Sequence, residues 1–304
     1  MSAELIELSN ALAQATNRAA ASAVAVHAEA RGSSSGVAWR PGVIVTAEHA
    51  LQRDEEIQAT LPDGRVVSAS LVGRDASTDL VVLKCPEATS AVAEFSDVAS
   101  VRPGSLALVV GRTRASGPVA ALGVVSLVAP ERRTWTGAAL TPYIRLDVGL
   151  QPTAVGGAVI DAYGRVMGIA TPRFARFGAI AVPAPTVNRV VDTLLKQGRI
   201  PRGYLGIGLQ PVRLPEALRQ VLQRNEKTGA IVLEVAPESP AHKAGLLIGD
   251  ILTSFAGHAV VRVEDVHAQL AAESIGKSLP VTFIRGGVSQ ETAVIVGERG
   301  HGDN

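Results

Sequence analysis

The stretch from about Ala23 to Ile180 most limits what this chain can fold into, because short β-runs alternate there with turn residues and almost nothing has a helical period. Val43–Ile44–Val45, Leu80–Val81–Val82–Leu83, Leu106–Ala107–Leu108–Val109–Val110 and Val166–Met167–Gly168–Ile169 are apolar and rich in β-branched residues, which suits a pleated, buried surface. Pro62–Asp63–Gly64 and Asp161–Ala162–Tyr163–Gly164 separate such runs with residues that supply tight turns. Short strands repeated over about 150 residues predict a barrel or sandwich, mainly β.

Helical periodicity flanks this region. Leu5, Leu8, Leu12 and Ala13 recur at helical spacing over about 4–20, ahead of a first strand near Ala23–His27. From Ala184 to Gln197, Val187, Val190, Val191, Leu194 and Leu195 share a face, and Gly198 follows as a stop. Gly198–Arg199–Ile200–Pro201–Arg202–Gly203 is dense in breakers and charge and marks a domain boundary. The expected organisation is a helical segment over 1–22, a β domain over 23–198, a second domain over 203–298 and a polar tail over 299–304. The second domain reads as strands with two short helices, near Pro240–Ala244 and Val263–Ala272. The end of the chain, from Gly297, reads as frayed.

Composition removes several function classes. A net charge of +1 gives no electrostatic reason to expect nucleic acid or an anionic membrane surface as partner. Arg132–Arg133 follows Glu131 and reads as solvated loop charge. Cys85, the lone cysteine, has no partner for an internal disulfide and reads as a buried or half-buried structural thiol. The six histidines lack ligand spacing, so neither a metal nor another cofactor is expected. No run reaches the roughly 18 apolar residues of a membrane span. Glu4 and Glu7 do not fit a secretory signal, so the chain as it starts at Met1 reads as cytoplasmic; the alternative, if a signal has been removed, is the periplasm or cell envelope.

Three positions suggest chemistry. His49 stands in Thr46–Ala47–Glu48–His49 just after a β-run, Asp79 opens the strand Leu80–Leu83, and Val155 stands in Thr153–Ala154–Val155–Gly156–Gly157–Ala158, a turn before a strand. In that order, with the segment behind them, these motifs resemble the HtrA/DegP family of trypsin-like serine proteases over roughly residues 20–298. The resemblance implies a trypsin-like double β-barrel followed by an α+β PDZ domain. It further implies that His49 takes the general-base position, Asp79 the position that orients it, and Val155 the position of the nucleophilic serine. Thr153 takes the place of the glycine whose N–H completes the oxyanion hole. Acyl transfer by such a triad needs a hydroxyl at the nucleophile, and valine has none. A β-branched Thr153 is a poor substitute for glycine where the backbone must adopt unusual angles. His49 and Asp79 are therefore expected to persist as a vestigial pair. The alternative is an active endopeptidase with an unrecognised nucleophile. Thr153 sits two residues away on the oxyanion side of the loop, with its side chain expected to point elsewhere, and Ser33, Ser34 and Ser35 show no route to His49.

Arg202–Gly203–Tyr204–Leu205–Gly206–Ile207 is similar to the carboxylate-binding loop of HtrA-type PDZ domains. Ser239–Pro240–Ala241, Ala244–Gly245–Leu246 and Gly249–Asp250–Ile251–Leu252 resemble the segment that builds the rest of that domain. The resemblance implies that Leu205, Gly206 and Ile207 bind a peptide terminus, with the peptide lying beside Ile207–Leu209 and facing a helix around Glu264–Ala272. The partners it implies are peptide or protein C-termini and unfolded proteins. It also implies a homo-oligomer such as a trimer, or a mixed assembly with active relatives. Cleft specificity would depend on the loop Arg173–Gly178.

Overall fold

The computed structural model describes residues 3–27, 33–88, 91–115, 117–134, 138–175, 177–221 and 225–298. The chain divides into two compact units, one of residues 1–134 with 139–200, the other of residues 201–304 with 135–138. Each is described separately.

The first unit opens with helix α1 (Ala3–Ala20). Its first β layer holds β1 (Ala23–His27), β2 (Ser34–Arg40), β3 (Val43–Ala47), β4 (Gln58–Thr60), β5 (Val66–Ser68), β6 (Ser70–Asp75) and β7 (Leu80–Lys84), in the spatial order β5-β4-β1-β2-β3-β7-β6. The second layer holds β8 (Leu106–Thr113), β9 (Gly117–Ala129), β12 (Tyr143–Asp147), β13 (Ala158–Ile160), β14 (Val166–Thr171) and β15 (Ala179–Pro183), closed into a barrel ordered β12-β15-β14-β13-β8-β9. A small ribbon of β10 (Arg132–Arg133) and β11 (Ala139–Leu140) lies off it. Strands β1, β3, β13, β14 and β15 are buried along their whole length, which is why they read as continuous apolar runs and not as alternation. Helix α2 (Ala184–Gln197) follows, and Gly198 ends it in the left-handed conformation, its N–H bonded to Leu194 O at 2.8 Å. Asn188 on this helix accepts from the indole of the fully buried Trp39 at 2.8 Å.

Two helical faces differ from the sequence reading. Val187, Val190, Val191 and Leu194 are buried, but Leu195 is 45% exposed, because it stands at the edge of the α2 stripe. In α1 the buried residues are Ala15, Ala19 and Ala20; Leu12 is partly buried, while Leu5, Leu8 and Ala13 are exposed. The small alanines let α1 lie close against β1 and β8, and the buried Arg112 guanidinium caps its end, donating to Ala20 O at 3.1 Å and Ala23 O at 2.7 Å. Cys85 is fully buried, as expected, and that burial raises its thiol pKa.

The second unit contains β16 (Gly203–Tyr204), β17 (Ile207–Arg213), β18 (Thr228–Val235), β19 (Ile251–Phe255), β20 (His258–Ala259), β21 (Ser278–Arg285), β22 (Val288–Ile295) and β23 (Gly297–Glu298). The main sheet runs β17-β18-β19-β21-β22, so β17 is an edge strand. Helix α3 (Glu216–Val221) was not anticipated; α4 (Pro240–Lys243) was. Helix α5 (Val263–His267) is shorter than the expected Val263–Ala272, since a separate 3₁₀ turn forms at Ala272–Ser274. Gly297–Glu298 is not frayed but pairs with Gly203–Tyr204; residues 299–304 lie outside the described residues. The buried Asp250 carboxylate is held bidentately by Arg285 at 2.7 and 2.6 Å and accepts from Leu247 N at 2.8 Å, which fixes the turn into β19.

Candidate functional site

The first unit brings His49 and Asp79 together across the ends of β3 and β7, which are paired along their length. Asp79 has a φ of 58°, a left-handed conformation that a short polar side chain tolerates better than most. Its carboxylate is completely buried and receives the His49 backbone N–H at 2.9 Å and His49 Nδ1 at 2.7 Å. The Thr171 hydroxyl, at the end of β14, donates to the same carboxylate. His49 sits in the 3₁₀ turn Glu48–Ala50, with its side chain 31% exposed. Nδ1 facing a carboxylate must carry the proton, so the neutral ring presents the Nε2 lone pair elsewhere. Around this turn, Arg74 donates to Leu51 O at 2.8 Å, and Glu48 lies between Arg74 at 3.5 Å and Arg173 at 3.6 Å.

Val155 ends a 3₁₀ turn, Pro152–Ala154, that leads into β13. Its side chain is almost fully buried. Its backbone N–H donates to Pro152 O at 3.3 Å, so that amide is consumed inside the turn. Ser35 on β2 fixes the turn from the other barrel: its N–H donates to Val155 O at 2.9 Å and its hydroxyl donates to Thr153 O at 2.6 Å. The same hydroxyl accepts from Arg112 N at 2.9 Å, and Thr46 Oγ1 donates to Ser35 O at 2.6 Å. Gly156, at φ 79°, has no room for a Cβ, which would run into Ser35 O, Thr46 Oγ1 and the Ala47 amide. The close approach seats Gly156, next to Val155, against the end of β3, the strand that precedes the His49 turn. Thr153 lies within the 3₁₀ turn and has no positive φ, so an L-residue fits there without strain. The hydroxyls of Ser35, Thr46 and Thr171 are all buried and committed to protein acceptors. Sequence reasoning singled out His49, Asp79, Val155 and Thr153 and did not single out Thr171, Arg112 or the bonds by which Ser35 holds this turn. In the loop Arg173–Gly178, Arg176 lies outside the described residues.

In the second unit, Leu205–Gly206 joins β16 to β17. The carbonyls are used: Leu205 O accepts from Ala241 N at 2.9 Å and Gly206 O from Ala236 N at 2.8 Å. Among the described residues no protein acceptor takes the amides of Leu205 and Gly206. Gly206 has a φ of 73°, and a Cβ there would collide with Ser239. Ile207, Leu209, Val263 and Leu270 pack as partly buried apolar residues over a core that includes Leu205 and Val266. β17 is thus an edge strand of its sheet with α5 near it, and the two adjacent amides of the loop that precedes it are unused.

Known proteins place this architecture. Residues 34–169 match the trypsin-like peptidase domain family, and residues 203–296 match the PDZ domain family. A serine endoprotease from Yersinia pestis superimposes with a TM-score of 0.74 at 27% identity, over 95% of this chain and 98% of that one. The chain belongs to the HtrA-like family. Another similar structure is the HtrA-type protease AlgW with a tripeptide, at TM-score 0.72 and 26% identity, over 96% of this chain and 98% of that one. Among curated relatives, a probable periplasmic DegP-like serine endoprotease of Rhizobium meliloti is 32% identical over 262 residues, which is 84% of this chain and 51% of that protein. A probable periplasmic do/HhoA-like serine protease of Haemophilus influenzae is 30% identical over 270 residues, 86% of this chain and 57% of that protein. This HtrA-like chain therefore spans about half the length of those relatives. Their names carry a periplasmic location, so the cytoplasmic reading finds no support and the periplasmic alternative is favoured. Among the described residues no helix is long and apolar enough to cross a membrane.

Proposed function

We propose that this HtrA-like chain is a catalytically inactive protease homologue that binds peptide C-termini through its PDZ domain and acts as a periplasmic scaffold, sensor or regulator. The observation that carries the inactivity is Val155. An isopropyl group occupies the position expected to supply a hydroxyl, and its amide is already bonded to Pro152 O. An oxyanion hole needs free donors aimed at the developing charge, and losing a single donor costs about 10²–10³ in kcat. The His49–Asp79 pair is retained because a buried carboxylate without its donors is expensive. The committed hydroxyls of Ser35, Thr46 and Thr171 weigh against a replacement nucleophile. The two amides of Leu205–Gly206, and the apolar groove running from them, support binding of an extended peptide that ends in an apolar residue with a free carboxylate. Exposed Leu5, Ile6 and Leu8 on α1 support self-association into a homo-oligomer, which a monomeric sedimentation profile would refute.

Exposure of the full chain to a fluorophosphonate probe tests the inactivity. The expected result is no covalent adduct at any residue. A probe adduct on a serine or threonine that disappears in His49→Ala would instead establish an active enzyme.

A further inference from the structure

The turn Pro62–Asp63–Gly64 holds the one aspartate in the chain that precedes a glycine, and no asparagine precedes one. Such a pair is chemically labile, because a glycine nitrogen has no Cβ beside it to hinder attack on the γ-carboxyl of the residue before. Here the pair lies in the β4–β5 hairpin, where Leu61 N donates to Arg65 O at 2.9 Å and Gly64 N to Leu61 O at 3.0 Å. Gly64 has a φ of 87°, and a Cβ there would meet nothing within 4 Å, so the turn stands clear of the unit on that side. The Asp63 side chain is 47% exposed, yet both its oxygens are held by the next residue but one. Oδ1 accepts from Arg65 N at 3.0 Å and Oδ2 from Arg65 Nε at 2.7 Å. Those bonds hold the carboxyl below the ordinary aspartate range, the backbone one contributing most.

The reaction open to this pair needs no reagent but water. Gly64 N bonds to Asp63 Cγ and gives up its proton, and the carboxyl hydroxyl leaves as water, closing a five-membered succinimide. Water then opens the ring. Attack at the α-carbonyl frees the α-carboxyl and sends the main chain through Cγ, which is isoaspartate, with no net change in composition. Only the protonated acid carries a hydroxyl to lose. Arg65 therefore opposes the reaction twice: it keeps the carboxyl ionised, and its Nε keeps Cγ from turning onto Gly64 N. We propose that Asp63 is a site of spontaneous isoaspartate formation whose rate is set by the Arg65 side chain. The extra main-chain methylene would fall in the turn that pairs β5, an edge strand bonded only to β4.

The test ages the full chain as wild type and as Arg65→Ala, at pH 5 and at pH 7. Arg65→Ala removes the guanidinium and keeps the backbone bond. Peptide mapping with electron-transfer fragmentation, which cleaves isoaspartate between Cα and Cβ, reads the product at position 63. The proposal expects several-fold faster accumulation in Arg65→Ala than in wild type, and faster reaction at pH 5 than at pH 7 in both. Hydrogen exchange on fresh samples separates the clamp from the fold: the Leu61 and Gly64 amides should stay protected in Arg65→Ala. If they lose protection as the rate rises, opening of the hairpin sets the rate and the proposal is overturned. Equal rates in the two chains overturn it, as does an Arg65→Ala chain that forms no isoaspartate at position 63.

Discussion

Thr171→Val probes what the buried pair is worth. Valine keeps the shape and burial of threonine and removes one oxygen. Two bonds go with it. The Asp79 carboxylate, which has no solvent contact, loses the hydroxyl that faces it, and the Arg173 N–H loses the same hydroxyl as its acceptor at 3.0 Å. A hydrogen bond to a charged group contributes about 1.5–3 kcal/mol and a neutral one about 1 kcal/mol, so the expected loss is about 2–4 kcal/mol. For a unit of this size each kcal/mol shifts the melting temperature by roughly 2–4 °C, which puts the shift on the order of 5–15 °C. Differential scanning calorimetry of the full chain reads this as displacement of the transition assigned to the trypsin-fold unit. Thr193→Val is the control: it also removes a threonine hydroxyl, bonded only to Arg189 O within α2, and is expected to stay within about 0.5 kcal/mol. A Thr171→Val shift no larger than the control's would refute the argument that donors from both barrels hold Asp79 in place.

Acid sensitivity should arise in part at His27. It is buried, and its Nε2 meets Thr60 Oγ1 at 2.8 Å; burial, aided by Arg114, lowers its pKa below 6.5. The folded state therefore resists protonation: this contribution to stability is complete above pH 6.5 and is lost as pH falls toward the folded value. Melting temperatures of wild type should decline between pH 7 and pH 5 more steeply than those of His27→Gln, and parallel curves would contradict this. Gly206→Ala combines a left-handed φ with a clash against Ser239, where only glycine fits. It should weaken peptide binding by at least tenfold in a calorimetric titration of peptides with free C-termini, and undiminished binding would show that the loop does not hold the peptide terminus.

The sequence conveyed the strands and α2 well, because fully buried β-runs and an amphipathic helix closed by Gly198 carry local signals. Ala23–His27 and Ala184–Gln197 needed no tertiary information. His49, Asp79 and Val155 were legible through their motifs. Thr171 was not: it closes an apolar strand and lies far from Asp79 in the chain, and only the pairing of two barrels brings its hydroxyl to the carboxylate. Ser35 lies in a serine run that showed only the lack of a route to His49, yet it is fully buried and bonds Thr153 and Val155. Helical period located α1 but not the face it packs within its own unit, which is made of alanines while the larger Leu5 and Leu8 stay exposed. Hydrophobicity alone cannot reveal that close approach favours the small residue. Helix α3 is a single short segment with too few turns to show a period.

The most direct measurement of the central claim is degradation of an unfolded test protein by wild type, with His49→Ala and Val155→Ser in parallel. The account predicts that wild type and His49→Ala are equally inert. It further predicts that Val155→Ser stays far below an ordinary serine protease, because the amide at that position is bonded to Pro152 O and Ser35 holds the turn closed. Cleavage by wild type that is lost in His49→Ala would contradict the claim that this chain is a binding protein built on a protease fold.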